Sequence, residues 1–144
     1  MAGRQVAAGG ALVLDSEGLS KLAAGDPRVR AYLETARARR ARVVVSAGTL
    51  AEVLRGGSRD ASVHRVLTRV TVVPVTPEFA RAAGELLGAT GLDGHRCAIG
   101  AVVAATAVGM ARPVVLLTSD LDDLTRLAEE PDCPKEHRVA VIHV

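Results

Sequence analysis

The sequence predicts an α/β fold in which helices cover both faces of a mostly parallel sheet. Short apolar and β-branched runs alternate with longer amphipathic segments along the 144 residues, as expected for strands joined by helices. The first run, residues 11–14, is entirely apolar, which is typical of a strand buried on both faces. With 49% hydrophobic and 24% charged residues, the chain can bury the core of one domain, residues 1–144, and intrinsic disorder is excluded.

Five strands are predicted, each from a short apolar or β-branched run, at residues 11–14, 42–45, 71–75, 114–118 and 138–143. The third is expected to be short because Pro74 cannot donate to a ladder. Helices are predicted between the strands, several with a capping residue or proline at their start, at residues 16–24, 27–40, 47–55, 60–70, 77–87, 95–108 and 121–129. Gly56 and Gly88 are expected to end two of them. The helix at 95–108 is apolar all round, which predicts a central position.

The net charge of +2 conceals a gradient along the chain. Residues 1–72 carry 12 basic and 6 acidic side chains, whereas residues 73–144 carry 6 basic and 10 acidic ones. Such asymmetry favours an anionic partner or an acidic site. With one Tyr and one Phe in the whole sequence, an aromatic platform that stacks single-stranded nucleic acid is nearly excluded.

The two cysteines, Cys97 and Cys133, form no CxxC pair, so a reducing cytoplasm is expected. The longest uncharged stretch, residues 97–111, is shorter than the ~18–20 residues that span a bilayer, so no membrane segment is expected. The apolar run at 6–14 ends at Asp15 without a cleavage signal, so we expect no export.

Two acids directly follow predicted strands, and a third lies in an apolar helix. Asp15 and Asp120 come after the strands at 11–14 and 114–118, so they are expected at the crevice beyond the carboxyl ends of the sheet, or else as helix caps. Glu52 has apolar neighbours, and an acid on a mostly buried helix is uncommon unless paired, here with a cation or a nearby Arg. Three converging carboxylates without a His/Cys cluster favour Mg²⁺ or Mn²⁺, which can activate water at a phosphate.

In their order and spacing, four segments resemble the PIN-domain family, particularly the VapC-type toxin ribonucleases of bacterial toxin–antitoxin pairs. The segments are residues 12–15, 46–55, 95–107 and 117–124. The resemblance implies a three-layer α/β/α sandwich with a central sheet of four to five strands, several acids around Mg²⁺ or Mn²⁺, and endoribonuclease activity. It also implies a small VapB-like antitoxin as partner, an RNA substrate and a homodimer.

The family's site residues can be assigned to matching positions in this sequence. Asp15, Glu52 and Asp120 match the metal-binding and catalytic acids, and Thr118 matches the hydroxyl residue beside the last of them. Asp123 is an accessory acid in this assignment. The hydroxyl residues next to the acids, which are expected to support the site, are Ser16 and Ser119. The arginines that would hold RNA phosphates, unless they form an ordinary solvated face, are Arg37, Arg39, Arg40 and Arg96.

One position departs from the family pattern. Residues 98–107 match the apolar helix that carries a further acid, but Gly100 stands where that acid is expected. A glycine inside a helix costs ~0.5–1 kcal/mol relative to Ala, so it needs a reason. Either a close helix contact permits only Gly, or a catalytic Asp has been lost, naturally or by an engineered change. A lost Asp predicts weak metal binding and little or no RNA cleavage, and the alternative function is a catalytically inactive PIN-fold RNA- or protein-binding module.

Two other kinds of site agree less well with the sequence. Residues 120–123 are rich in acids, but the Gly and terminal Glu of a calcium loop are absent at the required spacing. A phosphoryl-transfer receiver domain also clusters acids at strand ends. This chain lacks a well-placed Lys near the end of its last strand and has additional helices.

Overall fold

Five parallel strands form one central sheet in the order β3-β2-β1-β4-β5. The computed structural model describes residues 9–144, so the first eight residues of the predicted domain, including the start of the apolar run at 6–14, lie outside the described residues. The strands are β1 Ala11–Leu14, β2 Arg42–Ser46, β3 Thr71–Val73, β4 Val114–Thr118 and β5 Ala140–His143. The predicted α/β class with a mostly parallel sheet of four to five strands is therefore confirmed, and all five strands are parallel.

Seven α-helices connect the strands within residues 9–144. They are α1 Ser16–Ala23, α2 Pro27–Ala38, α3 Ala47–Val53, α4 Ala61–Leu67, α5 Pro77–Thr90, α6 Gly94–Val108 and α7 Leu121–Leu127. Short 3₁₀ turns precede α4 and β5, at Ser58–Asp60 and Lys135–His137. Within residues 9–144, no helix is both long and apolar enough to cross a membrane.

The sheet separates two hydrophobic cores, which makes the molecule three layers thick. Successive residues of β1 alternate between them: Val13 packs with the helices α5, α6 and α7, whereas Leu12 and Leu14 pack with α1, α2 and α4. As predicted for a central helix, α6 is the most deeply buried of the seven, with six buried residues. The apolar runs of β1, β2 and β4 therefore form strands buried on both faces, whereas the edge strands β3 and β5 are partly exposed.

The strand order places a crevice between β1 and β4. From β1 the chain continues to β2 and β3 on one side and later returns to β4 on the other side of β1. Leu14 at the end of β1 is in register with Leu117 of β4, and the N–H of Asp15 donates to the carbonyl oxygen of Leu117 at 3.1 Å. Parallel α/β sheets bind ligands at such a switch point, outside the carboxyl ends of the strands.

Several predicted boundaries differ from the structure. The helix expected to end near Gly88 continues to Thr90 and ends at Gly91, whose φ of 69° is left-handed. Gly88 stays helical because its intrinsic penalty of about 1 kcal/mol is outweighed by packing of its neighbours Leu86 and Leu87 against the core. β3 ends at Val73, directly before Pro74, so the proline terminates the strand outright.

Candidate active site

Four carboxylates line one cleft at the carboxyl end of the sheet. Asp15, Glu52, Asp120 and Asp123 surround a cavity of about 220 Å³. The hydroxyl residues Ser16 and Ser119 and the arginine Arg96 line the same cleft. Its floor is apolar and is formed by residues of α6 and α7, namely Gly100, Val103, Leu124 and Leu127. The structure thus brings together acids that come from separate elements: Asp15 follows β1, Glu52 lies in α3, and Asp120 and Asp123 lie at the start of α7.

Asp15 serves both as a helix cap and as a cleft residue. It directly follows β1, is 8% exposed, and its Oδ1 accepts a hydrogen bond from the N–H of Gly18 at 3.1 Å, which caps α1. Burial raises the pKa of the Asp15 carboxyl, while hydrogen bonds from Thr118 and from the Gly18 and Glu17 amides oppose that rise. The interpretations of Asp15 as a helix cap and as an acid of the crevice are therefore compatible.

Thr118 links Asp15 to Asp120. The Thr118 side chain is fully buried at the end of β4, lies close enough to the Asp15 carboxyl to lower its pKa, and its Oγ1 accepts a hydrogen bond from the N–H of Asp120 at 2.9 Å. The side chain of Asp120 makes no capping hydrogen bond to α7, so the cap interpretation fails for this residue. Asp120 is instead exposed in the cleft.

Glu52 lies on the solvent side of α3, so the expectation that it sits on a mostly buried helix is wrong. Ala51 and Glu52 are both exposed, because the short helix α3 packs through Thr49, Leu50 and Val53 instead. Partial desolvation and the nearby charge of Asp15 raise the pKa of the Glu52 carboxyl, and the charge of Arg55 lowers it. Two acids of the cleft therefore repel each other.

The sequence-based alternative of an ion pair between Glu52 and an arginine does not hold. The guanidinium of Arg55 donates to the carbonyl oxygens of Ala51 and Leu54 and not to Glu52. Among the residues that the structure describes, the one ion pair joins Arg112 to Glu130, away from the cleft. The carboxylate of Glu52 thus faces the cleft without a cationic partner from residues 9–144.

Cys97 also lines the cleft, although it is not among the site residues predicted from the sequence. Its Sγ donates a hydrogen bond to Oδ2 of Asp123 at 3.8 Å, and burial together with the charges of Asp123 and Asp120 raises the pKa of the thiol. Cys97 precedes Gly100 by three residues on α6, which places both on the same helix face. That spacing is the signal in the sequence that could have identified it.

Gly100 is not required by a close helix contact. A Cβ built at this position would lie 3.6 Å from Cδ2 of Leu124 and 3.8 Å from Cδ1 of Leu127, both of which are ordinary van der Waals separations. This finding removes the packing explanation for the glycine. Since Gly100 lines the cleft, a side chain there would enter the site.

The donors fit a hard divalent cation in kind but not in arrangement. All four acids offer oxygen ligands, which suit Mg²⁺ or Mn²⁺. Within residues 9–144, however, no three His, Cys, Asp or Glu side chains are grouped closely enough to hold a metal ion. The position in α6 where the family pattern has a further acid contributes no ligand, because it is Gly100.

The four candidate RNA-binding arginines lie in different places. Arg96 lines the cleft. Arg39 and Arg40 lie between the end of α2 and the start of β2, at the amino end of the sheet and opposite the cleft. Arg37 borders a separate cavity of about 220 Å³ together with Arg30 and Arg69. A role of these residues in RNA binding stays a prediction.

Comparison with known families assigns the fold. The sequence profile of the PIN domain family matches residues 12–130, which is most of the chain. The chain belongs to the PIN domain family. The matched range includes all four acids of the cleft and Gly100. A comparison with curated protein sequences gives no significant match.

Two solved structures share the PIN architecture of this chain. The crystal structure of VapBC2 from Rickettsia felis bound to a DNA fragment from the promoter aligns with a TM-score of 0.66 at 16% identity, covering 93% of this chain and 98% of that one. The structure of FitAB bound to the IR36 DNA fragment aligns with a TM-score of 0.59 at 19% identity, covering 92% and 94%. At these identities the likeness shows the fold of this PIN domain.

Proposed function

We propose that this PIN domain is a VapC-type toxin, a Mg²⁺- or Mn²⁺-dependent endoribonuclease neutralised by a VapB-like antitoxin, with a catalytic site weakened by Gly100. The observation that carries the proposal is the convergence of Asp15, Glu52, Asp120 and Asp123 on one cleft at the switch point of the sheet. Acids in such a crevice that form no ion pair with residues 9–144 are suited to binding a cation.

The structural neighbours support the proposed partner. Both are complexes bound to DNA, one of them to a fragment from the promoter. By extension, we propose that the present chain has an antitoxin partner that binds DNA. We also propose that the toxin is a homodimer and that the pair acts in the cytoplasm. Co-expression with the neighbouring reading frame, followed by size-exclusion chromatography, would test both assemblies.

The chain's own residues have distinct roles in the proposed reaction. A bound divalent ion would supply an activated water and charge stabilisation at the scissile phosphate. The Gly18 amide donates to the nearly buried Asp15 carboxylate and helps to fix its orientation, so that Asp15 is a preorganised ligand. The exposed carboxylate of Glu52 lines the same cleft without an ion-pair partner from residues 9–144, and it would supply a second oxygen ligand to the ion. Arg96 supplies a positive charge beside the acids, where an RNA phosphate would lie.

Restoring the acid at position 100 tests the proposal directly. Gly100→Asp should bind Mn²⁺ at least about tenfold more tightly than the parent and should gain metal-dependent RNA cleavage, since each oxygen ligand strengthens a hard-cation site. Titration calorimetry with Mn²⁺ and cleavage of a labelled RNA measure the two effects. Gly100→Asn, which has the same shape without the charge, is the matched control and should gain little. A Gly100→Asp variant no more active than the parent would contradict the missing-ligand interpretation.

A binding module without catalysis is the second candidate function. It is favoured by the lack, among the described residues, of three acids grouped to hold a metal. This alternative predicts that the parent chain and Gly100→Asp bind the antitoxin equally well while neither cleaves RNA with any divalent metal.

A further inference from the structure

The segment between α3 and α4 is held by one nearly buried carboxylate. Asp60 ends the 3₁₀ turn Ser58–Asp60 and is 6% exposed. Its Oδ2 accepts hydrogen bonds from the backbone N–H groups of Arg55 at 2.9 Å and Gly56 at 2.7 Å. Although Asp60 directly precedes α4, its side chain makes no capping hydrogen bond to that helix. The carboxylate therefore acts on the chain before it, at the end of α3.

Arg55, which Asp60 anchors, reaches back to the end of α3. Its Nη1 donates to the carbonyl oxygens of Ala51 at 3.1 Å and Leu54 at 2.8 Å. The helix has no glycine cap, since its C-cap is Leu54 in an extended conformation. The guanidinium therefore binds carbonyls that would otherwise lack an intrahelical partner. Asp60 and Arg55 together fix the last turn of α3.

We propose that Asp60 is a positioning residue that holds Glu52 in the cleft by fixing the last turn of α3. Glu52 lies in that turn, between Ala51 and Arg55, and its exposed side chain has little packing of its own to define its position. The inference rests on the proposed function in that Glu52 is taken as a metal-binding acid. It adds a residue outside the cleft on which that acid depends.

The electrostatics at Asp60 agree with this role. The hydrogen bonds from the Gly56 and Arg55 amides, which outweigh its partial desolvation, lower the pKa of the Asp60 carboxyl. Asp60 is therefore ionised at neutral pH, and its two hydrogen bonds are of the stronger, charge-assisted kind. A neutral, non-accepting side chain at this position would leave both amides without their partner.

The chain offers a matched control for a test. Asp26 also accepts two backbone amides on one carboxylate oxygen, those of Arg28 at 2.9 Å and Val29 at 3.0 Å, but it caps α2 and does not line the cleft. Asp60→Ala and Asp26→Ala each remove a carboxylate that holds two amides. Asp60→Asn keeps an acceptor oxygen but loses the charge, so it should have an effect intermediate between the parent and Asp60→Ala.

Amide hydrogen exchange of the full chain without metal gives the first readout. Asp60→Ala should speed exchange at residues 51–55 by about tenfold, consistent with losing a charge-assisted hydrogen bond. Asp26→Ala should leave those amides unchanged, and Asp60→Asn should retain part of their protection. Unchanged exchange at residues 51–55 in Asp60→Ala, or an equal change in Asp26→Ala, would overturn the proposal.

The Mn²⁺ affinity of the Gly100→Asp variant gives the second readout. Adding Asp60→Ala should weaken Mn²⁺ binding about tenfold, as is typical for residues that orient a metal ligand, whereas adding Asp26→Ala should not. If Asp60→Ala and Asp26→Ala weakened Mn²⁺ binding equally, the role of Asp60 would be merely structural, and the proposal would be overturned. If Gly100→Asp itself binds no Mn²⁺, the proposed function fails, while the exchange experiment still decides whether Asp60 positions Glu52.

Discussion

At the scale of single residues, Asp15 combines a structural and a chemical demand. As the cap of α1 it needs only an acceptor oxygen, which Asn would supply equally well. As an acid in the cleft it carries a charge that burial disfavours, so its pKa is raised. An acid whose pKa is raised by folding binds more protons in the native state than in the unfolded one. Stability therefore falls as the pH rises from the ordinary Asp pKa of 3.8 through the raised pKa, and above the raised pKa the penalty is complete.

Asp15→Asn should therefore stabilise the protein at neutral pH. With EDTA present at pH 7.5, we expect the melting temperature to rise by about 3 °C, as for a gain near 1 kcal/mol in a domain of this size. The gain should shrink as the pH is lowered towards the ordinary Asp pKa of 3.8, and circular dichroism melts over this range measure it.

Glu130→Gln provides a control of opposite sign for Asp15→Asn. The hydrogen bond from Arg112 lowers the pKa of Glu130, so the ionised acid stabilises the fold above its unfolded pKa, and that contribution is lost as the pH falls through the lowered value. Glu130→Gln should lower the melting temperature at neutral pH. If Asp15→Asn instead lowered the melting temperature, the charge of Asp15 would stabilise the fold, which contradicts the prediction.

At the scale of elements, the helix α6 carries a glycine that nothing in its packing requires. A Cβ at Gly100 would make ordinary contacts with Leu124 and Leu127, so Gly100→Ala should stabilise the protein by about 0.5–1 kcal/mol through helix propensity. Thermal or urea unfolding measures the change.

Two other helical glycines serve as controls for Gly100→Ala. At Gly88 in α5 an added Cβ would meet nothing within 4 Å, so Gly88→Ala should stabilise by a similar amount. At Gly18 in α1 it would lie 3.1 Å from the carbonyl oxygen of Leu117, so Gly18→Ala should not. If Gly100→Ala behaved like Gly18→Ala, the close-contact explanation for Gly100 would return.

The same elements show which features the sequence could predict. The strands ending at Leu14 and Thr118 were predictable because they are apolar runs followed by acids, and parallel pairing brings such ends to one edge. The end of α5 was not, because the local cost of Gly88 is small compared with tertiary packing. The exposure of Glu52 and its dependence on Asp60 arise from contacts across a loop, and the pairing of Cys97 with Asp123 spans 26 residues. Patterns within one element do not encode such contacts.

At the scale of the whole molecule, two arginines of the basic first half lie at the end of the sheet opposite the acidic cleft. Arg39 and Arg40 lie at the amino end of the sheet, whereas Arg96 and the four acids lie at its carboxyl end. The four residues of β1 span about 13 Å, which exceeds the Debye length of about 8 Å at physiological ionic strength. Charges at the amino end are therefore largely screened from an RNA bound in the cleft.

This separation predicts different effects of two charge reversals on RNA binding. Arg96→Glu should weaken binding of a short single-stranded RNA and reduce the salt slope of log K by about 1, since one phosphate contact is lost. Arg39→Glu should leave both nearly unchanged if the RNA occupies only the cleft. Fluorescence anisotropy at several salt concentrations measures the affinity for RNA and its salt slope. Ca²⁺ is used as a cation that should not support cleavage of the RNA. An effect of Arg39→Glu as large as that of Arg96→Glu would mean that the RNA extends to the amino end of the sheet. The arginine-rich first half of the chain would then be part of the binding surface, because with so few aromatic residues the RNA must be held by its phosphates.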